Sequence, residues 1–156
     1  MGTQWGYKYC DTYKTSHELI HILINVVSRG GNLALNIGPQ PNGELPADAL
    51  HELEGLGSWL KVNGEAIYGT RPADNEHIGN VFFTKKDNLL YAMVLLDCID
   101  ILTGEIFIPV NYGVEKVVCL VDLEELNFKK LTDGICVTLS RDFPGDNYPA
   151  VVFRIE

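Results

Sequence analysis

WLKVNGEAIYGTRP, residues 59–72, decides how the chain divides. Asn63 followed by Gly64 is a helix stop, because such residues readily take the backbone conformations that end a helix. Ile67 and Tyr68 then make an apolar hinge. Arg71 and Pro72 lead out of it, and a proline cannot continue a helix.

Residues before this stretch follow an α/β rhythm. Thr15 and Glu18 fit a T-x-x-E capping box, which predicts a helix start near Thr15. LIHILINVVS, residues 19–28, is apolar on nearly all sides, so its helix should be well buried. Gly30 and Gly31 end it. NLALNI, residues 32–37, is a short continuous apolar run between turn residues and predicts a buried parallel strand. After the loop GPQPNGELP, a second helix is predicted from about Ala47 to Val62, with Leu50, Leu53, Leu56 and Leu60 near one face and Trp59 beside them. One such helix–strand–helix unit cannot bury its strand on both sides, so the unit is expected to be incomplete.

After Pro72 the period changes to that of strands. VFFTKK and NLLYAMVLL flank a turn at Asp87 and Asn88, and GEIFIPV, EKVVCLV, NFKKLTDG, ICVTLS and AVVFRI follow. Turn signals stand at Thr103-Gly104, at residues 111–113, at Asp133-Gly134 and at residues 144–147. This spacing predicts an antiparallel sandwich or barrel with no helix longer than two turns. The boundary falls within residues 70–75, giving units 1–72 and 73–156. Trp59, Leu60, Ile67 and Tyr68 are expected to bury between them.

A chain of 156 residues, 46% apolar and 21% charged, can bury a real core. Its net charge of −9 disfavours nucleic acid and anionic membrane as partners, since both need a basic face. Residues 19–27, the longest mostly apolar stretch, are too few to span a bilayer and include His21 and Asn25. No charged segment followed by an apolar one opens the sequence, so no signal peptide is read. Cys10, Cys98, Cys119 and Cys136 have no zinc-ribbon spacing and are expected to be free, mostly buried thiols. The tail aromatics Phe82, Phe83, Tyr91, Phe107, Tyr112, Phe128, Phe143, Tyr148 and Phe153 sit mainly in alternating runs and read as core rather than as a sugar platform.

HELIH, residues 17–21, matches the H-E-x-x-H zinc-protease motif letter for letter. On a helix His17 and His21 would share a face, with Glu18 as general base. His51, Glu44, Glu52 and Glu54 are the further ligand candidates. The plainer reading is stronger, because the capping box already accounts for Glu18.

Four segments resemble the α-L-fucosidases of glycoside hydrolase family 29, in that family's order. They are QWGYKY (residues 4–9), SHELIHILINVVSRGGNLALNIGP (16–39), NGE (42–44) and GSWLKVNGEAIYGTRP (57–72). The resemblance implies an α/β remnant of a (β/α)8-type barrel over residues 1–72, followed by an antiparallel β-sandwich over 73–156. It implies a retaining glycosidase that removes terminal α-L-fucose, with its nucleophile and acid/base carboxylates on barrel segments outside this chain. The chain alone is then expected to be inactive. Trp5 matches an aromatic that lines the pocket for the sugar's C6 methyl. The family needs no cofactor or metal, and it suggests a secreted, periplasmic or lysosomal setting. The implied partners are fucosylated glycans, together with the missing part of the barrel or a second copy of the chain.

Among the acidic residues, Glu65 reads as a support for the inter-unit turn rather than a catalytic acid. Glu44 and Asp48 follow the NLALNI segment, at what would be the active-site face of a barrel. Asp48 is equally explained by the dipole of the helix it begins. Trp5 and Tyr7 read either as sugar contacts or as loop aromatics. The tail could instead be a non-catalytic carbohydrate-binding or packing module.

Overall fold

The computed structural model describes residues 1–110 and 113–156; the side chains of Asn75 and Glu76 are also outside the description. The turn expected at 111–113 therefore falls largely outside the described residues, as does Tyr112.

Helix α1, Ser16–Ser28, begins with the complete capping box. Thr15 Oγ1 accepts from the Glu18 amide at 3.2 Å, and Glu18 Oε2 accepts from the Thr15 amide at 2.8 Å. Two orphan amides of the first turn are thereby satisfied. Only one face of α1 is buried, through Leu19, Ile20, Leu23, Ile24 and Ser28. His21, Ile22, Asn25, Val26 and Val27 are half-exposed, so the all-round burial expected from the sequence is corrected. The described chain covers one side of this helix and leaves the other partly open.

Helix α2, Ala47–Asn63, ends where Asn63 and Gly64 were expected to end it, and a single 3₁₀ turn, Gly64–Ala66, follows. Leu56 and Trp59 are buried, while Leu50 is 42% exposed and faces away from the core.

NLALNI does not form a strand. Leu33, Leu35 and Ile37 are half-buried, and Asn32, Ala34 and Asn36 are exposed. The alternation is that of a strand, but a strand exists only through a ladder, and no described segment pairs with it.

From Arg71 onward the chain is β. Strands β1 (Arg71–Ile78), β2 (Val81–Lys86), β3 (Leu89–Leu95), β4 (Ile101–Leu102), β5 (Glu105–Ile108), β6 (Val117–Cys119), β7 (Glu124–Glu125), β8 (Phe128–Leu131), β9 (Gly134–Thr138), β10 (Phe143–Pro144) and β11 (Ala150–Ile155) follow in order. The pairings are antiparallel. Six strands make one sheet in the order β1-β2-β3-β11-β6-β7; β5-β9-β8 make a second, and β4 pairs with β10. No helix interrupts residues 71–156 among those described. Strand β1 was not expected from the sequence. It lies at the sheet edge, where Pro72 costs no ladder bond that matters, and a register irregularity separates Pro72 from His77.

The six-stranded sheet is apolar on both faces. Val81, Phe83, Leu90, Ala92, Val94, Val151, Phe153 and Ile155 point into a core shared with Ile106, Ile108, Ile135 and Val137 of the smaller sheet. The intervening residues Phe82, Tyr91, Met93, Ala150 and Val152 point the other way, into a cluster with Leu19, Ile20, Ile24, Leu56, Trp59 and Ile67. Period-two alternation thus delivers neighbouring residues to two different cores.

Polar contacts fix the helices to the sheet. The Trp59 indole N–H donates to the Ala150 carbonyl at 3.2 Å, and the His21 ring donates from Nε2 to the Pro149 carbonyl at 2.8 Å. Thr84, fully buried, donates to the Ala66 carbonyl at 2.7 Å. Trp59 and Ile67 are buried at this junction and Leu60 is partly so, but Tyr68 is 61% exposed, correcting the expectation for it. Its ring lies against Gly64, beside a cleft of about 590 Å³ lined by Leu23, Val27, Leu33, Ile67 and Pro72.

Candidate functional site

Residues 2–13 form a loop rather than a regular element. Trp5 stands on it with 84% of its surface exposed, and Tyr9 with 80%. Trp5 borders a groove of about 260 Å³ whose other walls are residues 1–4 and Ala34, Leu35 and Asn36 of the NLALNI segment. The groove thus lies between the indole and an apolar run that has no strand partner among the described residues. No lining side chain of this groove is a carboxylic acid.

Two contacts hold the loop. A Cβ on Gly38 would sit 2.3 Å from the Tyr7 nitrogen and 2.4 Å from the Gly6 carbonyl carbon, so the loop backbone rests directly on Gly38. On the other side, Asp11 Oδ2 accepts from the Thr3 amide at 3.0 Å and Oδ1 from the Thr12 amide at 3.0 Å, with the Thr3 hydroxyl a further donor to Oδ1. The Thr3 hydroxyl is the main cause holding the Asp11 carboxyl below the usual carboxylate range.

A second groove, of about 300 Å³, lies across the loop between Tyr7, Tyr9, Tyr13, Gln40, Pro46 and Asp48. Asp48 occupies the first turn of α2, where the helix dipole favours a negative charge. Glu44 closes its own turn by accepting from Asn42 Nδ2 at 2.9 Å. Glu65 accepts from Arg154 Nη1 at 3.1 Å, tying the 3₁₀ turn to β11. That ion pair matches the supporting role expected of Glu65. Trp5 and Asp48 face different grooves, so the structure does not bring the sequence candidates together into one set.

The HELIH histidines do share a face of α1, but the motif's other groups are engaged elsewhere. Glu18 is engaged by Thr15, which holds its carboxyl below the usual range, and His21 Nε2 is engaged by Pro149. The two imidazole centroids are 4.5 Å apart, and His17 Nε2 is buried without a hydrogen-bond partner. Glu52 accepts from the Ser16 amide and so braces α2 against α1. Among the described residues no three His, Cys, Asp or Glu side chains converge as a metal site. The four cysteines are free, but Cys10 and Cys98 are exposed and Cys136 is half-buried; only Cys119 is buried as expected. Burial pushes its thiol up to about 11.

A family profile described as alpha-L-fucosidase matches residues 1–65. An alpha-L-fucosidase of Branchiostoma floridae is 40% identical over 97 residues, which are 58% of this chain and 22% of that protein. The plasma alpha-L-fucosidase of Homo sapiens is 41% identical over 99 residues, 58% of this chain and 21% of the human protein. Among solved structures, alpha-L-fucosidase isoenzyme 1 from Paenibacillus thiaminolyticus superposes with a TM-score of 0.85 at 31% identity, covering 99% of this chain and 37% of that one. The Thermotoga maritima alpha-fucosidase superposes at 0.83 with 28% identity, covering 97% of this chain and 37% of its own.

The chain is a relative of the α-L-fucosidases.

It spans about a fifth of the length of the curated fucosidases it matches and over a third of the solved ones. Sequence likeness to the curated fucosidases covers 58% of the chain, whereas the structural likeness runs through the β-rich tail as well. Two site features of this fucosidase relative were not read from the sequence. One is the set of bonds made by Asp11, eight residues from Thr3. The other is the His21–Pro149 contact, which spans 128 residues.

Proposed function

We propose that residues 1–72 are the closing part of the (β/α)8-type barrel of a retaining α-L-fucosidase and that residues 73–156 are its C-terminal β-sandwich. In this reading Trp5 forms the wall against the C6 methyl of α-L-fucose. An indole suits that role because fucose carries one apolar corner. The observation that carries the reading is the Trp5 groove: an exposed indole, set beside an unpaired strand-like segment, in a cavity without a carboxyl group. Retaining hydrolysis needs two carboxyl groups about 5–5.5 Å apart, one as nucleophile and one as acid/base. Glu44, Asp48 and Glu65 do not supply that pair, because each is tied to its own local role and none lines the Trp5 groove. The nucleophile and acid/base then belong to preceding barrel segments, which would also pair with NLALNI and cover the open side of α1.

The likeness to a Thermotoga maritima structure in complex with fucose supports terminal fucose as the bound sugar. The curated relatives named plasma and tissue fucosidases support a lumenal or extracellular setting. The test is turnover of an aryl α-L-fucoside by the purified chain, with and without the remainder of a fucosidase barrel. We expect no turnover alone, and turnover in the complemented protein that Trp5→Ala weakens mainly through KM. Turnover by the chain alone, abolished by Glu44→Gln, Asp48→Asn or Glu65→Gln, would overturn the reading.

A further inference from the structure

We infer that Asp11 is the positioning residue for Trp5: its carboxylate locks the loop that presents the indole to the groove. The inference rests on the reading of Trp5 as a sugar-contacting wall.

An indole that is 84% exposed gets little orientation from packing, so its placement depends on the backbone that carries it. That backbone belongs to no helix or strand. Beside the backbone contact at Gly38, one side chain ties it together. The Asp11 carboxylate is itself only 2% exposed, although it lies in a surface loop. It accepts from the Thr3 amide, the Thr3 hydroxyl and the Thr12 amide, and Lys8 Nζ stands 3.7 Å away. Lys8 in turn reaches the Thr3 hydroxyl at 3.3 Å, so the lock has a cationic brace. The bonds join residues 3 and 11 and close a ring of chain with Trp5 inside it. Thr3 lines the same groove as Trp5, so the lock sets groove wall and indole together. Gly2 shows how tightly the carboxylate is seated, since a Cβ there would lie 2.2 Å from Asp11 Oδ2. Gly38 supplies the opposing support beneath Gly6 and Tyr7. The loop is held by steric contact on one side and by a charged acceptor on the other.

The charge matters as much as the shape. A carboxylate can accept from three donors at once, and hydrogen bonds to an ionised acceptor are the strong ones. An amide keeps the shape but has one acceptor oxygen, and its NH₂ would oppose a donor. Asp11→Asn should therefore free the loop while leaving the helices and sheets in place.

The test is amide exchange and order parameters for residues 3–12 in the isotopically labelled full chain, for wild type, Asp11→Asn and Asp11→Glu. Removing a charge-assisted bond should speed exchange at Thr3 and Thr12 by about tenfold or more, with Trp5 gaining mobility. In wild type the same loosening should appear as pH falls through the Asp11 titration, and Asp11→Asn should show no such transition. Exchange at Leu23, Met93 and Val152 should stay unchanged in both variants. Unchanged exchange at Thr3, or an acid transition that persists in Asp11→Asn, would overturn the assignment. Titration of the full chain with L-fucose, followed at the Trp5 indole signal, separates this outcome from that of the functional reading. A loop that loosens in Asp11→Asn while wild type shows no response to fucose would uphold the lock and sink the sugar contact.

Discussion

The two faces of the six-stranded sheet are both apolar and are closed in different ways. On one face a second sheet of the same chain completes the core, and Ile108, Val137 and Phe153 are wholly buried. On the other the cover is two helices and the NLALNI segment, where Val27, Leu33, Leu35 and Leu60 are only partly buried. The first face is finished by the β5-β9-β8 sheet. The second is finished by one layer whose own outer surface still carries half-exposed apolar residues. A sheet buried on both sides also explains why NLLYAMVLL and AVVFRI read as continuous apolar runs rather than the alternation usual in an antiparallel sandwich.

The comparison can be broken first by cavity-forming substitutions. Phe153→Ala on the sandwich face should cost about 3–5 kcal/mol and Met93→Ala on the helix face about 2–5 kcal/mol. Because both residues lie on shared strands, urea denaturation followed by far-UV circular dichroism and by Trp59 fluorescence should give one coincident transition for each variant. A Trp59 transition that separates from the rest in Met93→Ala would show that the helix layer melts by itself.

The junction can be weakened without a large cavity. Trp59→Phe removes the donor to the Ala150 carbonyl and should cost about 1–3 kcal/mol, mainly from the acceptor left unpaired. Thr15→Ala removes half of the capping box and should cost about 1 kcal/mol by the same denaturation assay. The acid limb of stability should change with it. The Glu18 carboxyl is held below its ordinary 4.5, chiefly by the Thr15 amide. Its contribution is therefore fully present above about pH 4.5 and fades as pH falls through the depressed folded value. The variant keeps that amide but loses the Thr15 hydroxyl, the second donor to the carboxyl, so it should lose slightly less on acidification than wild type between pH 5 and pH 3. The smallest perturbation uses the thiols. At pH 8 a water-soluble maleimide should label Cys10 and Cys98 at once and Cys119 only after unfolding, because burial both blocks Cys119 and holds it protonated. Early labelling of Cys119 would mean that the sandwich edge opens under native conditions.

Local chemistry was legible in the sequence wherever a few adjacent residues decide the outcome. The Thr15–Glu18 box and the turn at Asp87 and Asn88, where Asp87 takes φ 54°, follow from side chains within four positions; α2 does end at Asn63, but Gly64 keeps a right-handed φ of −61° and opens a 3₁₀ turn instead of reversing the backbone. What depended on distant partners was not legible. NLALNI has the composition of a buried strand, but its ladder cannot be read from its own residues. RPADNEHI has the composition of a loop and becomes β1 because β2 offers an edge. Tyr68 was expected inside because it is large and apolar and stands at the boundary, yet Ile67 turns inward after the 3₁₀ turn and Tyr68 is left outside. For the candidate site, the sequence pointed to Trp5 through a resemblance. It could not show that Trp5 and Asp48 face different grooves, since that division depends on where Gly38 and Asp11 set the loop.

The contacts from His21 and Trp59 to the carbonyls of Pro149 and Ala150 bear on how the chain is made as well as how it holds. Strand β11 lies between β3 and β6, in the interior of the sheet, yet of the described elements it is the last to leave a ribosome. Until it emerges, β3 has an open edge, the sheet is in two pieces, and both helices lack the acceptors that pin them. The nascent chain must carry these apolar helices and unpaired strands until β11 appears, the state in which β-rich chains are most prone to wrong association. Closure should then come late and all at once, when a single strand joins two half-sheets and gives two helices their anchor.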